Sequence, residues 1–264
     1  MADEHNDQET HNDQETHDVC DENTSDLRVI PLFALGMTLF PGMVQPLHIF
    51  EPRYRQMTAY CLDSNVSFGI VLALPGDQHV QDDQRESSDE RQPEQETPAH
   101  VGALARIVDY HRLPDGRYNL LTIGAQRFEI VETHHDKPYL TAQVRLLRDE
   151  DEGVAADDLG DVVANARDAL AEYLRLMLTL IGGEEREISI PRDPTELSFL
   201  IAVVLTVDNS EKQHLLELTS TSERLRMEVA LLADEIRDLK RQVRNSGSSP
   251  DLLDSGRSDR SALN

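Results

Sequence analysis

The spacing of apolar residues changes once along this chain, close to residue 150 of 264. Before that point, short runs rich in Val, Ile, Leu and Tyr recur at 28–33, 44–49, 68–74, 101–110, 117–123, 127–132 and 140–147. Short strands at this spacing predict a closed or partly closed β-barrel. After residue 150, apolar residues return every three or four positions, as in amphipathic helices. The chain is therefore predicted to be α+β, with strands first and helices second.

One helix is expected among the strands. Pro52 suits the first position of a helix over residues 52–64, and Cys61 falls on its apolar side as a small core residue. Further along, "LPDG" at 113–116 places Pro, Asp and Gly where a hairpin turn needs them. The first half of the chain is thus predicted to be a barrel of short strands with one inserted helix.

Four helices are predicted after the barrel. The first runs from about residue 159 and ends at Gly182, and Asp193 is the expected N-cap of the second. Ser210 and Ser220 begin capping boxes for the third and fourth. The last helix carries an apolar seam with heptad-like steps, formed by Leu225, Val229, Leu232, Ile236, Leu239 and Val243.

Composition sets the expected boundaries. Residues 1–26 contain no Lys or Arg and repeat HNDQET twice, so this segment is predicted to be a disordered acidic tail. Residues 76–100 are predicted to form an acidic insertion loop inside a barrel subdomain over 27–148. A helical subdomain over 149–244 follows, and a Ser/Gly/Asp-rich tail over 245–264 is expected to be disordered.

The net charge of −25 restricts the partners. Nucleic acids and anionic membranes are bound largely through Lys and Arg, so we expect neither. No run of about 18 apolar residues suggests a membrane-spanning helix. The polar, acidic first ten residues are unlike a secretory signal, and the two cysteines, Cys20 and Cys61, fit a reducing compartment. A cytoplasmic protein is therefore expected.

The sequence nominates no catalytic chemistry. It contains no G-x-x-x-x-G-K-[ST], no G-x-S-x-G and no H-E-x-x-H motif. His111, His134 and His135 lie near predicted turns or strand ends, where exposed loop histidines are the simpler interpretation. The histidines of the N-terminal repeat alternate with acids but lack the preorganisation that a fixed metal site needs. We therefore expect no catalytic residue, no metal and no cofactor.

One proline-rich segment resembles a known family. "PLFALGMTLFPGMVQPLHIFEPRYRQM" (31–57) resembles the signature of the Lon protease N-terminal, substrate-binding domain, and so do "IGAQRFEI" (123–130), "PYLTAQV" (138–144) and "DPTELSFLIAVVL" (193–205). Ala34 stands where the family pattern has a proline. The positions that carry the resemblance include Pro31, Phe40, Pro41, Gly42, Pro46, Glu51, Arg53, Tyr54, Gly124, Arg127 and Phe128.

The resemblance implies a PUA-like β pseudo-barrel followed by a helical bundle. It also implies a non-enzymatic module that recognises unfolded or degron-bearing polypeptides, in cooperation with a separate protease or ATPase. Physical reasoning assigns most signature residues to the fold. Pro41 and Gly42 form a turn, Arg53 or Arg55 pairs with Glu51, and Phe33, Phe40, Leu47, Ile49 and Phe50 belong to the core.

Candidate contacts for a client are Leu35, Met37 and Met43, which are apolar and lie near the Pro41 turn. The groove between barrel and bundle is a second candidate surface. Three other functions remain open from the sequence: RNA binding by a PUA-like barrel, a small hydrolase, and a scaffold that oligomerises through the seam of the last helix.

Overall fold

The computed structural model describes residues 27–74, 97–150, 156–183 and 189–246. Within them the chain is α+β, as predicted. The strands are β1 (Leu27–Leu35), β2 (Val44–Ile49), β3 (Phe68–Leu74), β4 (Thr97–Arg112), β5 (Tyr118–His134) and β6 (Thr141–Leu146). The helices are α1 (Pro52–Ser64), α2 (Ala156–Leu180), α3 (Pro194–Val204), α4 (Asn209–Glu217) and α5 (Thr221–Ser246). The tail predicted over 1–26 lies outside the described residues, and so do the predicted loop 76–100 up to residue 96 and the predicted tail 245–264 from residue 247. The predicted tail begins two residues too early, because α5 continues to Ser246.

Five strands close into a barrel. β1 pairs with β3 in parallel and with β6 antiparallel, and β3–β4, β4–β5 and β5–β6 are antiparallel. β2 pairs with β5. Because β5 is 17 residues long, its first part pairs with β2 and its last part with β6. β2 thus extends the sheet at one edge of an otherwise closed barrel.

Two strand predictions were wrong in detail. The runs at 117–123 and 127–132 form the single strand β5, and Thr97–His100 belong to β4 rather than to the insertion loop. Gly124 keeps β5 continuous, because a β-carbon there would overlap the carbonyl oxygen of Phe40. The Pro41 turn packs directly on this glycine: Gly42 N–H donates to Gly124 O at 2.9 Å, and Gly124 N–H donates to Met43 O at 2.8 Å. The glycine marks a close approach of two backbones, not a break.

Side chains from the strands and from α1 form the core of the barrel subdomain. Phe128 is fully buried, and β-carbons at Gly69 and Gly102 would approach its ring to 2.6 and 2.8 Å. These two glycines make room for that ring in the neighbouring strands. At the other side, α1 places Met57 and Cys61 against the core, as its apolar stripe predicts.

The helices pack around one core. Asp193 caps α3 as predicted, since its carboxylate accepts from Glu196 N–H, and Ser220 caps α5 through Glu223 N–H. The cap of α4 is Asp208 and not Ser210, because its carboxylate accepts from two backbone N–H groups. The seam of α5 faces the bundle: Leu225, Leu232, Ile236 and Leu239 are buried, and Val229 and Val243 are partly buried, in the core that α2 and α3 share.

The bundle core continues into the barrel. Phe40 and Val101 belong to the same buried cluster as the helices, and Gln213 of α4 donates to Val101 O at 3.0 Å. Self-association through the α5 seam would have to uncover this core. None of the helices in the described part of the chain has the length and apolar character to cross a membrane.

Candidate functional site

A groove opens between the end of β1, the strand β2 and the start of α1. It measures about 380 Å³, and we call it the β1–β2 groove. β1 pairs with β3 and β6, and β2 pairs with β5 alone among the described strands, so β2 is the edge strand beside the groove. The lining comprises Phe33, Ala34, Leu35, Gly36, Pro46, Leu47, His48, Phe50, Glu51, Arg53 and Tyr54. All of these residues lie within the proline-rich signature at 31–57.

The groove has an aromatic floor and an exposed aromatic rim. Phe33 and Tyr54 are buried beneath it, with ring centroids 4.2 Å apart. Phe50 lies on the rim and is 60% exposed. The assignment of Phe50 to the core was wrong, because side chains alternate along an extended chain and Ile49 takes the buried side. α1 begins at Pro52, two residues later, and Phe50 stays on the exposed side of the chain.

Polar groups along the rim form two local networks. In one, Asn119 Oδ1 lies 2.6 Å from His48 Nδ1, and Arg117 donates to His48 Nε2 at 3.2 Å. Since an arginine only donates, Nδ1 carries the imidazole proton. Arg117 also pairs with Asp115 at 2.6 Å, and its backbone N–H is the main cause of a lowered pKa at that carboxyl. In the other network, Arg53 pairs with Glu51 at 2.9 Å.

Pro46 makes the edge of β2 a poor template for another strand. It lacks an N–H group, and its carbonyl accepts from the Gln45 side chain at 2.9 Å. The β2 edge is therefore partly blocked. The groove offers apolar side-chain contacts more readily than a continuous ladder of backbone hydrogen bonds.

A second candidate lies at the junction of barrel and bundle. Two fully buried arginines, Arg127 of β5 and Arg224 of α5, share one oxygen of Asp149 at 3.0 and 2.9 Å. Arg127 also donates to Leu216 O at 2.7 Å and Leu218 O at 2.6 Å. We call Arg127, Arg224 and Asp149 the junction cluster.

The side chains of the junction cluster connect secondary-structure elements, and their polar groups are used for these contacts rather than for a ligand. Burial lowers the pKa of Arg127 and so does Arg224, while Asp149 opposes the shift. Both guanidinium groups lie near the ring of Phe199, at 5.5 and 4.2 Å from its centre. A cleft of about 310 Å³ adjoins the cluster, lined partly by Pro41, Gln126 and Leu147. The donors of Arg127 are directed to backbone carbonyls and to Asp149, which suits a structural clamp.

Two more ionisable groups lie inside the bundle, Glu228 fully buried and Lys212 partly buried. Lys212 donates to the carbonyls of Ala202 and Val203 at the end of α3, and burial lowers its pKa to about 8. Burial also raises the pKa of Glu228 well above its ordinary value, despite a 3.0 Å hydrogen bond from Ser198. Ser198 is fully buried, so this pair is closed to a substrate.

Of the three contacts predicted from sequence, only Leu35 lines the groove, and all three are only partly exposed. Met37 lies in the loop that follows β1. Met43 packs against both the barrel core and the bundle core. Three important rim residues were missed: His48, Phe50 and Arg117. Only Phe50 left a signal, since its neighbour Ile49 continues the apolar alternation of β2.

The histidines in the described part of the chain do not assemble with acids into a ligand set. Among the described residues, no group of three His, Cys, Asp or Glu side chains is placed to hold a metal ion. His134 and His135 line an open surface hollow with Thr133 and Lys137. Cys61 is buried, and its burial raises the thiol pKa to about 12, which opposes nucleophilic reactivity at neutral pH.

Comparison with models of known protein families identifies the family of this chain. The family model for the ATP-dependent protease La (LON) substrate-binding domain matches residues 29–234. The chain therefore belongs to the LON substrate-binding domain family.

Its relatives include Lon proteases. Lon protease 2 of Herpetosiphon aurantiacus is 29% identical over 81% of this chain and 24% of its own length. The Lon protease of Methylocella silvestris is 26% identical over 78% of this chain and 24% of its own. The chain thus spans about a quarter of the curated relatives that it matches.

Two solved structures share the fold. A Lon N-terminal domain protein from Xanthomonas campestris aligns with a TM-score of 0.53 at 21% identity, over 77% of this chain and 98% of its own. The N-terminal domain of the Mycobacterium avium complex Lon protease aligns with a TM-score of 0.54 at 18% identity. The alignment covers 78% of this chain and 99% of that domain.

Proposed function

We propose that this protein binds unfolded or degron-bearing polypeptides through the β1–β2 groove and performs no chemistry on them. The observation that carries the proposal is Phe50, a large aromatic side chain that is 60% exposed beside an apolar groove. An exposed aromatic residue next to a concave surface is a common anchor for a partner. Membership of a substrate-binding family supports the same assignment.

The groove is suited to weak binding of many different apolar segments. Its volume lies near the lower end of the range for ligand pockets, about 300–1,000 Å³. Burial of one large apolar side chain contributes about 1.5–3 kcal/mol to binding, so a single contact gives low affinity. Several such sites along one unfolded chain raise the overall affinity. Such a surface would select for exposed apolar residues rather than for one sequence.

The remaining parts of the proposal concern the setting. A module of this kind is expected to act in the cytoplasm and to pass its clients to a separate protease or ATPase. The motifs of such enzymes are missing from the sequence. The domain limits suggested by the sequence, 27–148 for the barrel and 149–244 for the bundle, complete the proposal.

Fluorescence anisotropy with a reduced and alkylated protein as a permanently unfolded client tests the proposal. Phe50→Ser is expected to weaken binding about five- to tenfold, because it removes roughly half of the apolar contact of one large side chain. Val131→Ser is the matched control, since Val131 is exposed on β5 and does not line the groove. Neither change should lower the melting temperature.

Equal binding by wild type and Phe50→Ser would refute the groove as the client site. Met37→Ser tests the placement made from sequence and is expected to weaken capture without loss of stability. Met43→Ser should instead lower the melting temperature, because Met43 packs against two cores.

A further inference from the structure

The net charge of −25 is not spread evenly over the chain. The barrel residues that the structure describes, 27–74 and 97–150, carry ten Lys and Arg against nine Asp and Glu. Residues 1–26 alone contain ten carboxylates and no Lys or Arg. The barrel is therefore close to neutral, and local clusters decide which charges a ligand meets at its surface.

Four arginines gather at the end of the barrel that carries the groove. We call Arg53, Arg55, Arg112 and Arg117 the arginine rim. Arg53 lines the groove, and Arg117 touches it through His48. Arg55 lies beside the hairpin turn at Gly116, and Arg112 lies 5.6 Å from the centre of the Tyr118 ring.

The rim has positive charge and hydrogen-bond donors in excess. Two carboxylates pair with it, Glu51 with Arg53 and Asp115 with Arg117, so the four cations exceed these paired anions by two. Arg53 uses its Nε for Glu51, and Arg117 uses its Nε for Asp115 and one terminal nitrogen for His48. A guanidinium has five N–H donors, so both arginines keep donors for a further carboxylate.

We propose that the β1–β2 groove selects polypeptide segments in which a large apolar side chain is flanked by Asp or Glu. The apolar side chain would lie against Phe50 and the floor of the groove, and the carboxylates would meet Arg53 and Arg117. This inference rests on the proposed function and names the class of client. Charge complementarity at the rim distinguishes this occupant from a purely apolar segment.

The expected preference is modest. Exposed ion pairs are weak, so two flanking carboxylates should tighten binding roughly three- to tenfold over neutral flanks. The negative charge of the whole chain acts against this preference at low salt. At about 0.15 M salt the screening length is about 8 Å, so distant repulsion is reduced while contact pairs remain. The preference should therefore be measured near physiological salt.

The test uses the full chain and three amidated peptides that share one Phe/Leu core. Their flanks are Asp, Ser or Lys, and anisotropy gives a Kd for each. The expected order is Asp tightest, then Ser, then Lys. In a variant with Arg53→Gln and Arg117→Gln the ratio of the Asp and Ser values should fall to about one. Arg145→Gln is the control, since Arg145 pairs with Glu129 and does not line the groove.

Other outcomes would overturn the proposal in distinct ways. Equal Kd values for the three peptides would refute charge selection but leave apolar client binding intact. Absence of binding by all three would refute both the selection and the proposed function. Tightest binding by the Lys peptide would show that the net charge dominates.

Two further results would identify a different occupant. Binding of the Asp peptide only after the ten carboxylates in 1–26 are changed to amides would mean that this segment of the chain occupies the groove. A single-stranded oligonucleotide that displaces the Ser peptide, and does so only when Arg53 and Arg117 are present, would favour nucleic acid over polypeptide.

Discussion

Replacement of Arg127 by Met tests whether the junction cluster holds the barrel to the bundle. Arg127 lies on β5, yet its guanidinium donates to Leu216 O and Leu218 O at the end of α4 and to Asp149 in the connecting segment. Its side chain is 1% exposed. Methionine keeps much of the apolar stem but has none of the donors. The change therefore removes the polar link with little loss of packing.

The size of the expected stability loss depends on which hydrogen-bond acceptors still have a donor after the substitution. Leu218 O and Asp149 keep their bonds to Arg224, at 2.7 and 2.9 Å, so Leu216 O is the acceptor that loses its side-chain donor. An unsatisfied buried acceptor costs about 1–3 kcal/mol, and loss of charged hydrogen bonds adds to it. Arg224 limits the damage below the 3–5 kcal/mol of a fully broken buried pair. We expect a loss of about 2–4 kcal/mol.

Urea denaturation followed by circular dichroism measures this loss. The control is Arg145→Met, which removes a half-exposed arginine paired with Glu129 and should cost less than about 1 kcal/mol. A loss at Arg127 within error of the control would refute the reasoning, because the buried donors would then contribute nothing to stability.

Three further predictions concern single residues. Gly124→Ala should destabilise by at least about 1–3 kcal/mol, because the new methyl group meets the backbone carbonyl of Phe40, whereas Gly36→Ala, with open space, should have little effect. Gly160→Ala should stabilise α2 by about 0.5–1 kcal/mol in the same denaturation assay, and any destabilisation there would contradict the helix. Burial raises the thiol pKa of Cys61 from 9.0 to about 12, so its stabilising contribution is complete below pH 9 and is lost as the pH rises. The stability advantage of wild type over Cys61→Ala should therefore fall by up to about 1.4 kcal/mol per pH unit above pH 9, and a constant difference would refute this burial effect.

Local signals in the sequence predicted the elements well. The bounds of β2, β3 and α1 follow from short apolar runs and from Pro52 at the first helical position. They are readable because each depends on residues close in sequence. The runs at 117–123 and 127–132 were predicted as separate strands, because the reason for a glycine at position 124, the Phe40 carbonyl, lies far away in the chain.

Competition between neighbouring signals explains the error at α4. Ser210 and Asp208 both suit an N-cap, and Asp208 takes the position because its carboxylate accepts two backbone N–H groups. Those bonds also lower its pKa, since they favour the charged form. Propensity alone does not decide between two good caps two residues apart.

The sites were harder to predict because they join distant segments. The junction cluster brings Arg127 and Arg224 to one carboxylate, and no spacing rule pairs residues so far apart. His48 and Arg117 meet only because β2 pairs with β5. Phe50 differs from these, since strand alternation alone places it opposite the buried Ile49.

The most direct test of client binding in the β1–β2 groove is amide hydrogen exchange of the full chain with and without the unfolded client. Binding of the client in the groove should slow exchange in residues 33–36 and 46–54, which contain the residues that line the groove, with little change elsewhere. Protection confined to residues 125–127 and 147–149 would place the client in the junction cleft instead. That result would contradict the central claim.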